Sequence, residues 1–224
     1  MFTNGRSFCR VYGMAPDGRL MRGERTRVAV LDRALWLTTA AGLDGLSLSQ
    51  IADALGVSKS GLFAHWRSKE ALQLAVIEHA RAQWTDQVIR PALKEPRGVR
   101  RLWGVHNRRL DFYEAEILPG RCFFANAHFE FNARPGPVHD RLAAELREWM
   151  RFLTSLAADG VALGELREGT DPGDLAYEVE SLGVCAVMQV PVLGADTTFR
   201  HARRALLDHL RGVVTDPTIL PELT

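Results

Sequence analysis

The chain has 224 residues, 46% hydrophobic and 25% charged, an ordinary globular composition. Lys+Arg number 28 against 27 for Asp+Glu, a formal net charge of +1, so a globally basic coat is excluded and any nucleic-acid contact must come from a local basic surface. Cys9, Cys122 and Cys185 are odd in number and far apart, with no CxxC pair. That pattern argues against a disulfide framework and a zinc knuckle and fits a reducing, cytoplasmic setting.

In chain order, residues 1–20 hold glycines and arginines without apolar periodicity and read as a disordered arm. Met14 and Met21 are alternative starts. From Thr26, the residues Val28, Leu31, Leu35 and Thr38 step by three and four, which predicts an amphipathic helix stopped by Gly42. Ser47 can cap a second helix, with Gln50 completing a capping box and Ile51, Ala52 and Leu55 facing inward. Gly56 ends that helix after barely two turns, where the backbone needs positive φ. Ser58 caps a third short helix, and Val57 with Leu62 matches a hydrophobic staple. Ser68 opens a long helix in which Leu72, Val76, Ala80, Trp84 and Val88 recur every four residues.

Pro91 and Pro96 bracket a short break, and the domain boundary is placed there. Helical periods resume over 97–117, 121–132, 137–163, 172–190 and 197–214, and the tail 215–224 is expected to fray. The most apolar stretch, 182–195, is too short and too interrupted, by Gln189 and Pro191, to span a bilayer, so no membrane partner is expected. Strand-like alternation is absent, so the fold class is all-α. A three-helix helix-turn-helix domain over 21–90, with its motif at 47–66, precedes a second helical domain over 97–214.

Two short helices joined by a glycine-containing turn are the pattern of a helix-turn-helix, whose second helix can lie in the major groove. Residues 58–69 read SKSGLFAHWRSK, with Lys59, Arg67 and Lys69 and no acid. Ser58, Ser60, Gly61 and Ala64 are small enough for close approach to DNA. The free N–H groups from Ser58 to Gly61 and the helix dipole suit phosphate. Lys59, Ser60 and His65 are candidates for base edges or phosphates, and Phe63 for a thymine methyl. Trp66 is read as core. Helical corners of this kind also occur in proteins that never touch DNA.

The run 48–72, LSQIADALGVSKSGLFAHWRSKEAL, resembles the signature of the TetR/AcrR (tetracycline-repressor) family: Ile-Ala on one helix, Gly-Val-Ser at the turn, an aromatic pair, then Ser-Lys-Glu-x-Leu opening the long helix. The resemblance covers about residues 24–84. It implies phosphate contact by Thr26, a cap and backbone contact by Ser47, a reading end at Lys59, Ser60 and Gly61, and a phosphate clamp by Lys69. Phe63 departs from the family's usual tyrosine and lacks its hydroxyl, and Trp66 stands for the usual phenylalanine.

The resemblance further implies that the second half binds a small effector and dimerises. Its aromatics are dense, and an apolar cavity with a few polar groups suits a small hydrophobic ligand. The candidate ligand residues are Trp103, His106, Phe124, His128, Trp149, Tyr177 and Met188, against a background in which about half of such aromatics simply pack. The helices over 172–190 and 197–214 are the candidate dimer interface, one apolar nearly all round, the other backed by Arg200, Arg203, Arg204 and Arg211.

No metal-ligand spacing, phosphate loop or nucleophile elbow is present, so neither catalytic residue, metal nor cofactor is expected. The expected function is a dimeric, ligand-responsive repressor on a palindromic DNA operator. The alternative is a helical small-molecule-binding protein or enzyme that has lost DNA contact.

Overall fold

The computed structural model describes residues 18–222 except positions 57, 59, 61, 63 and 64, with side chains from residue 26 onward. Its principal helices are α1 (Gly18–Ala41), α2 (Leu48–Leu55), α3 (Lys69–Trp84), α4 (Val99–Glu114), α5 (Phe123–Phe131), α6 (Pro137–Ala162), α7 (Pro172–Leu193) and α8 (Ala195–Val213). Between α2 and α3, helical turns are marked by the Leu62 N–H donating to the Ser58 carbonyl and the Trp66 N–H to the Leu62 carbonyl. Extended pairing among the described residues is limited to one antiparallel bridge, Leu166 with Val214. The protein is all-α.

The caps expected at Ser47 and Ser68 form. Ser47 Oγ accepts from the Gln50 N–H and starts α2, and Ser68 Oγ accepts from the Ala71 N–H at 3.0 Å and starts α3. Gly56 ends α2 at φ 63°, ψ 29°, where its N–H reaches back to Ala52 and Asp53. A side chain there would meet the following carbonyl. α1 begins at Gly18, eight residues before the apolar pattern, so positions 18–20 are helical rather than part of an arm; residues 1–17 and the Val57 half of the staple lie outside the described residues.

The long helix does not stop at Trp84. It passes through one π-helical turn, Thr85–Ile89, into Arg90–Ala92, with the Arg90 N–H bonded to the Thr85 carbonyl. Pro91 has no N–H to give and its ring crowds the preceding turn, and a widened turn just before it lets the helix continue. The boundary expected at 91–96 is also not a break in packing. One core runs from Val30, Leu35, Ile51, Leu62 and Trp66 through Leu72 and Ile77 into Leu110, Phe123, Phe131 and Phe199. A second core, with Trp103, Leu153, Leu175 and Leu206, fills the far end.

The tail does not fray within its described part. Leu220 is buried in that second core, Thr215 Oγ1 donates to the Gly164 carbonyl at 2.9 Å, and Arg211 donates to the Pro221 carbonyl at 2.7 Å. α7 is long and apolar enough to cross a membrane by composition alone, but it packs between α6 and α8 and opens on Asp171 and Asp174.

Candidate functional site

The head is assembled from α1, α2, the turns after Ser58 and the start of α3. Leu62 and Trp66 turn inward, which leaves Ser58, Ser60 and His65 exposed on the opposite side. Ser60 Oγ donates to Ser58 Oγ at 3.3 Å. Thr26 is exposed on α1, and Ser47 is half-buried at its cap. The other sequence candidates, Lys59, Gly61 and Phe63, lie outside the described residues.

Lys69 is where the family pattern puts it, at the first position of α3, but its ammonium is engaged within the chain. It donates to the Asp44 carbonyl and, at 3.1 Å, to Asp44 Oδ1. Arg134 holds Asp44 Oδ2 at 2.6 Å. The Lys69 hydrogen bond, then the Arg134 one, keeps the Asp44 carboxyl below the usual carboxylate range. Glu130, near the end of α5, accepts from the backbone N–H groups of Leu43 at 2.6 Å and Asp44 at 2.8 Å. Gln73 of α3 donates to the Leu43 carbonyl at 2.9 Å. The turn that leads into α2 is thus gripped from both α3 and α5.

A cavity of about 580 Å³ lies between the end of the long helix, α4, α5, α6 and α7. Trp84, Phe124, Phe129, Trp149, Phe152 and Met188 supply its apolar wall. Trp84 and Trp149 meet edge to face, centroids 5.7 Å apart, and Phe152 lies 5.7 Å beyond. Phe124, His128, Trp149 and Met188 therefore stand where the sequence reading wanted them. Burial lowers the His128 pKa, so its ring is neutral near pH 7.

Three candidates are elsewhere. Trp103 packs in the second core. His106 is wholly buried, with Nε2 facing the Ala202 carbonyl at 3.2 Å and Nδ1 facing Arg109 Nη2 at 3.3 Å; a guanidinium can only donate, so Nε2 carries the proton. Burial, with the Arg109 charge beside it, holds His106 well below its ordinary pKa. Tyr177 is 69% exposed on α7, outside the cavity lining.

The sequence reading missed a buried polar group on that wall. Arg109 of α4, only 1% exposed, donates to Glu180 Oε2 of α7 at 2.7 Å and to the Val179 carbonyl, and Trp149 Nε1 donates to the same Glu180 oxygen at 2.6 Å. The guanidinium lies over Gly183, in space a Cβ would occupy. Partners 71 positions apart leave no local signal; the one hint was an arginine among apolar positions of α4. Cys122 caps α5 through the Ala125 N–H, and burial raises its thiol pKa.

Comparison with known proteins agrees with this geometry. The model of bacterial regulatory proteins of the tetR family matches residues 30–76, and that of the tetracyclin repressor-like C-terminal domain matches residues 98–206. This chain belongs to the TetR family of DNA-binding transcriptional regulators. A TetR transcriptional regulator from Chloroflexus aurantiacus J-10-FL is similar at TM-score 0.80 and 26% identity, over 87% of this chain and 98% of that one. AibR, solved in complex with isovaleryl coenzyme A and operator DNA, is similar at TM-score 0.64 and 19% identity, over 80% and 96%. The ketosteroid regulator KstR2 of Mycobacterium tuberculosis follows at 0.61 and 17%, over 92% and 100%. No curated protein matches the chain. The regulator's first matched segment covers most of the head, the second takes in α4 to α7 at the cavity, and the cavity-lining end of the long helix lies between the two.

Proposed function

We propose that this regulator is a homodimeric, non-enzymatic repressor, released from a palindromic operator when a small lipophilic effector occupies the cavity. The observation that carries the reading is that two elements belong to both parts. The long helix bears Lys69 at the head and Arg81, Trp84, Thr85 and Ile89 at the cavity. α5 bears Phe124, Ala125, His128 and Phe129 at the cavity and Glu130 at the head. A ligand that re-seats either element changes the turn before α2 and the spacing of two recognition segments. It shifts the population only as far as it prefers the released form; moving 99:1 to 1:99 takes about 10⁴-fold preference.

Thr26, Ser47, Ser58, Lys59, Ser60, Gly61, Phe63, His65 and Lys69 are the DNA contacts in this reading. Dimerisation is assigned to α7 and α8, because α7 leaves Tyr177, Val192 and Leu193 exposed outside the cavity lining. AibR, which was captured with both a ligand and operator DNA, supports the pairing of functions.

The test is fluorescence anisotropy on the promoter fragment flanking the regulator's own gene, with light scattering for mass. A dimer is expected, with salt-dependent binding. Lys69→Ala is expected to weaken binding and to flatten the log–log salt slope by about one. A monomer that ignores the fragment at low salt would overturn the proposal.

A further inference from the structure

We infer that the cavity is built for a lipophilic cation, an organic ammonium carried on an aromatic or alicyclic body, and that it rejects anions. This deepens, and rests on, the reading of the cavity as the effector site. The first observation is the state of the arginines. Arg81 and Arg109 are the cavity's arginines, and both are already committed. Arg81 meets Glu148 at 3.0 Å and Glu145 at 3.4 Å, and Arg109 meets Glu180 at 2.7 Å. An anionic ligand that drew Arg109 away would strand Glu180 in a largely apolar wall, and at Arg81 it would meet the carboxylates of Glu145 and Glu148.

The second observation is the balance of charge behind the wall. Arg141 pairs with Glu78 at 2.5 Å and with Glu145, so the linked set Glu78, Arg141, Glu145, Arg81 and Glu148 holds three carboxylates against two guanidiniums. The pair Arg109–Glu180 is neutral, and His128, uncharged through burial, adds nothing to offset the surplus. The wall therefore carries one negative charge in excess.

The third is the position of Glu145. It is 8% exposed and lines the cavity; its Oε1 has no aligned hydrogen bond but is already ion-paired with Arg141, and its Oε2 with Arg81, so what this wall lacks is net positive charge rather than a donor. An ammonium in the cavity supplies that charge. The aromatic faces add to the same preference. Trp84, Trp149 and Phe152 form a contiguous array along this wall, and indole faces attract cations most strongly. Arg109 Nε is also without a hydrogen-bond partner, but its guanidinium is packed against Gly183 of α7.

The experiment uses three naphthylalkyl probes of one skeleton, ending in ammonium, hydroxyl or carboxylate. Binding to the full chain is measured by calorimetry, and operator release by anisotropy on the promoter fragment. The ammonium probe is expected to bind at least tenfold more tightly than the hydroxyl probe, and the carboxylate probe most weakly. Glu145→Gln is expected to abolish the ammonium's advantage while leaving the hydroxyl probe's affinity within about twofold. Glu148→Gln, at a more exposed position, is expected to reduce that advantage without a change in melting temperature, which separates charge from folding.

Carboxylate binding equal to or tighter than ammonium binding overturns the inference and leaves the cavity's effector role standing. Absence of binding by every probe overturns it as well. Ammonium binding at the expected ratio that fails to release the operator upholds the ligand class and refutes the effector reading instead.

Discussion

Glu130→Ala removes the carboxylate that holds the turn into α2. Two N–H groups lose their acceptor, Leu43 at 2.6 Å and Asp44 at 2.8 Å. Leu43 is buried, so its N–H gains little from water, and an unsatisfied buried donor costs about 1–3 kcal/mol. The Asp44 N–H is exposed and rehydrates, so its loss is nearer the net value of one hydrogen bond, about 1 kcal/mol. Together the substitution is expected to cost about 2–4 kcal/mol, or roughly 5–15 °C in melting temperature for a chain of this length. Operator affinity is expected to fall as well, because the same turn sets the position of α2. Glu130→Gln keeps one acceptor oxygen and is expected to fall between. Thermal melts and operator titrations check both variants. An alanine variant that melts within 1 °C of the parent and binds the operator unchanged would refute the claim that α5 holds the head.

Two further outcomes are expected. Gly56→Ala puts a Cβ on a residue at φ 63° and is expected to destabilise the protein by about 1–2 kcal/mol in urea titration, with a matching loss of operator affinity. Asp44 has its pKa lowered by Lys69 and then Arg134, so its stabilising contribution is present above its unfolded pKa of about 3.9 and is lost as pH falls through the lower folded value. Urea midpoints measured from about pH 5 downward are expected to show Asp44→Asn with a shallower acid loss than the parent and the two curves converging at the acid end.

Much of the head was legible because its signals are local. Ser47, Gly56 and Ser68 each act on a backbone group within a few residues, so a cap or a left-handed stop can be read from residue type and spacing. Trp66 and Leu62 were assignable to the core because helical period and the small exposed neighbours Ser58 and Ser60 sort the two faces. Family membership followed from the same contiguous run, which the tetR-family model matches as part of residues 30–76.

The cavity was only half legible. Phe124, His128, Trp149 and Met188 line it, while Trp103 and His106, on the same amphipathic α4 as Arg109, turn into packed core instead. Helical period says that a side chain faces inward; it does not say whether a neighbour fills the space in front of it. That is settled by the separations and crossings of five helices distant in sequence. The chain's own order of residues determined the helices, their caps and the class of regulator. Only the tertiary packing decided where the helices leave a void, which charges line it, and that Glu130 reaches back 87 positions to hold the turn before α2. Caps are interactions between near neighbours along the chain, whereas cavities and long-range ion pairs exist only once that chain has closed on itself.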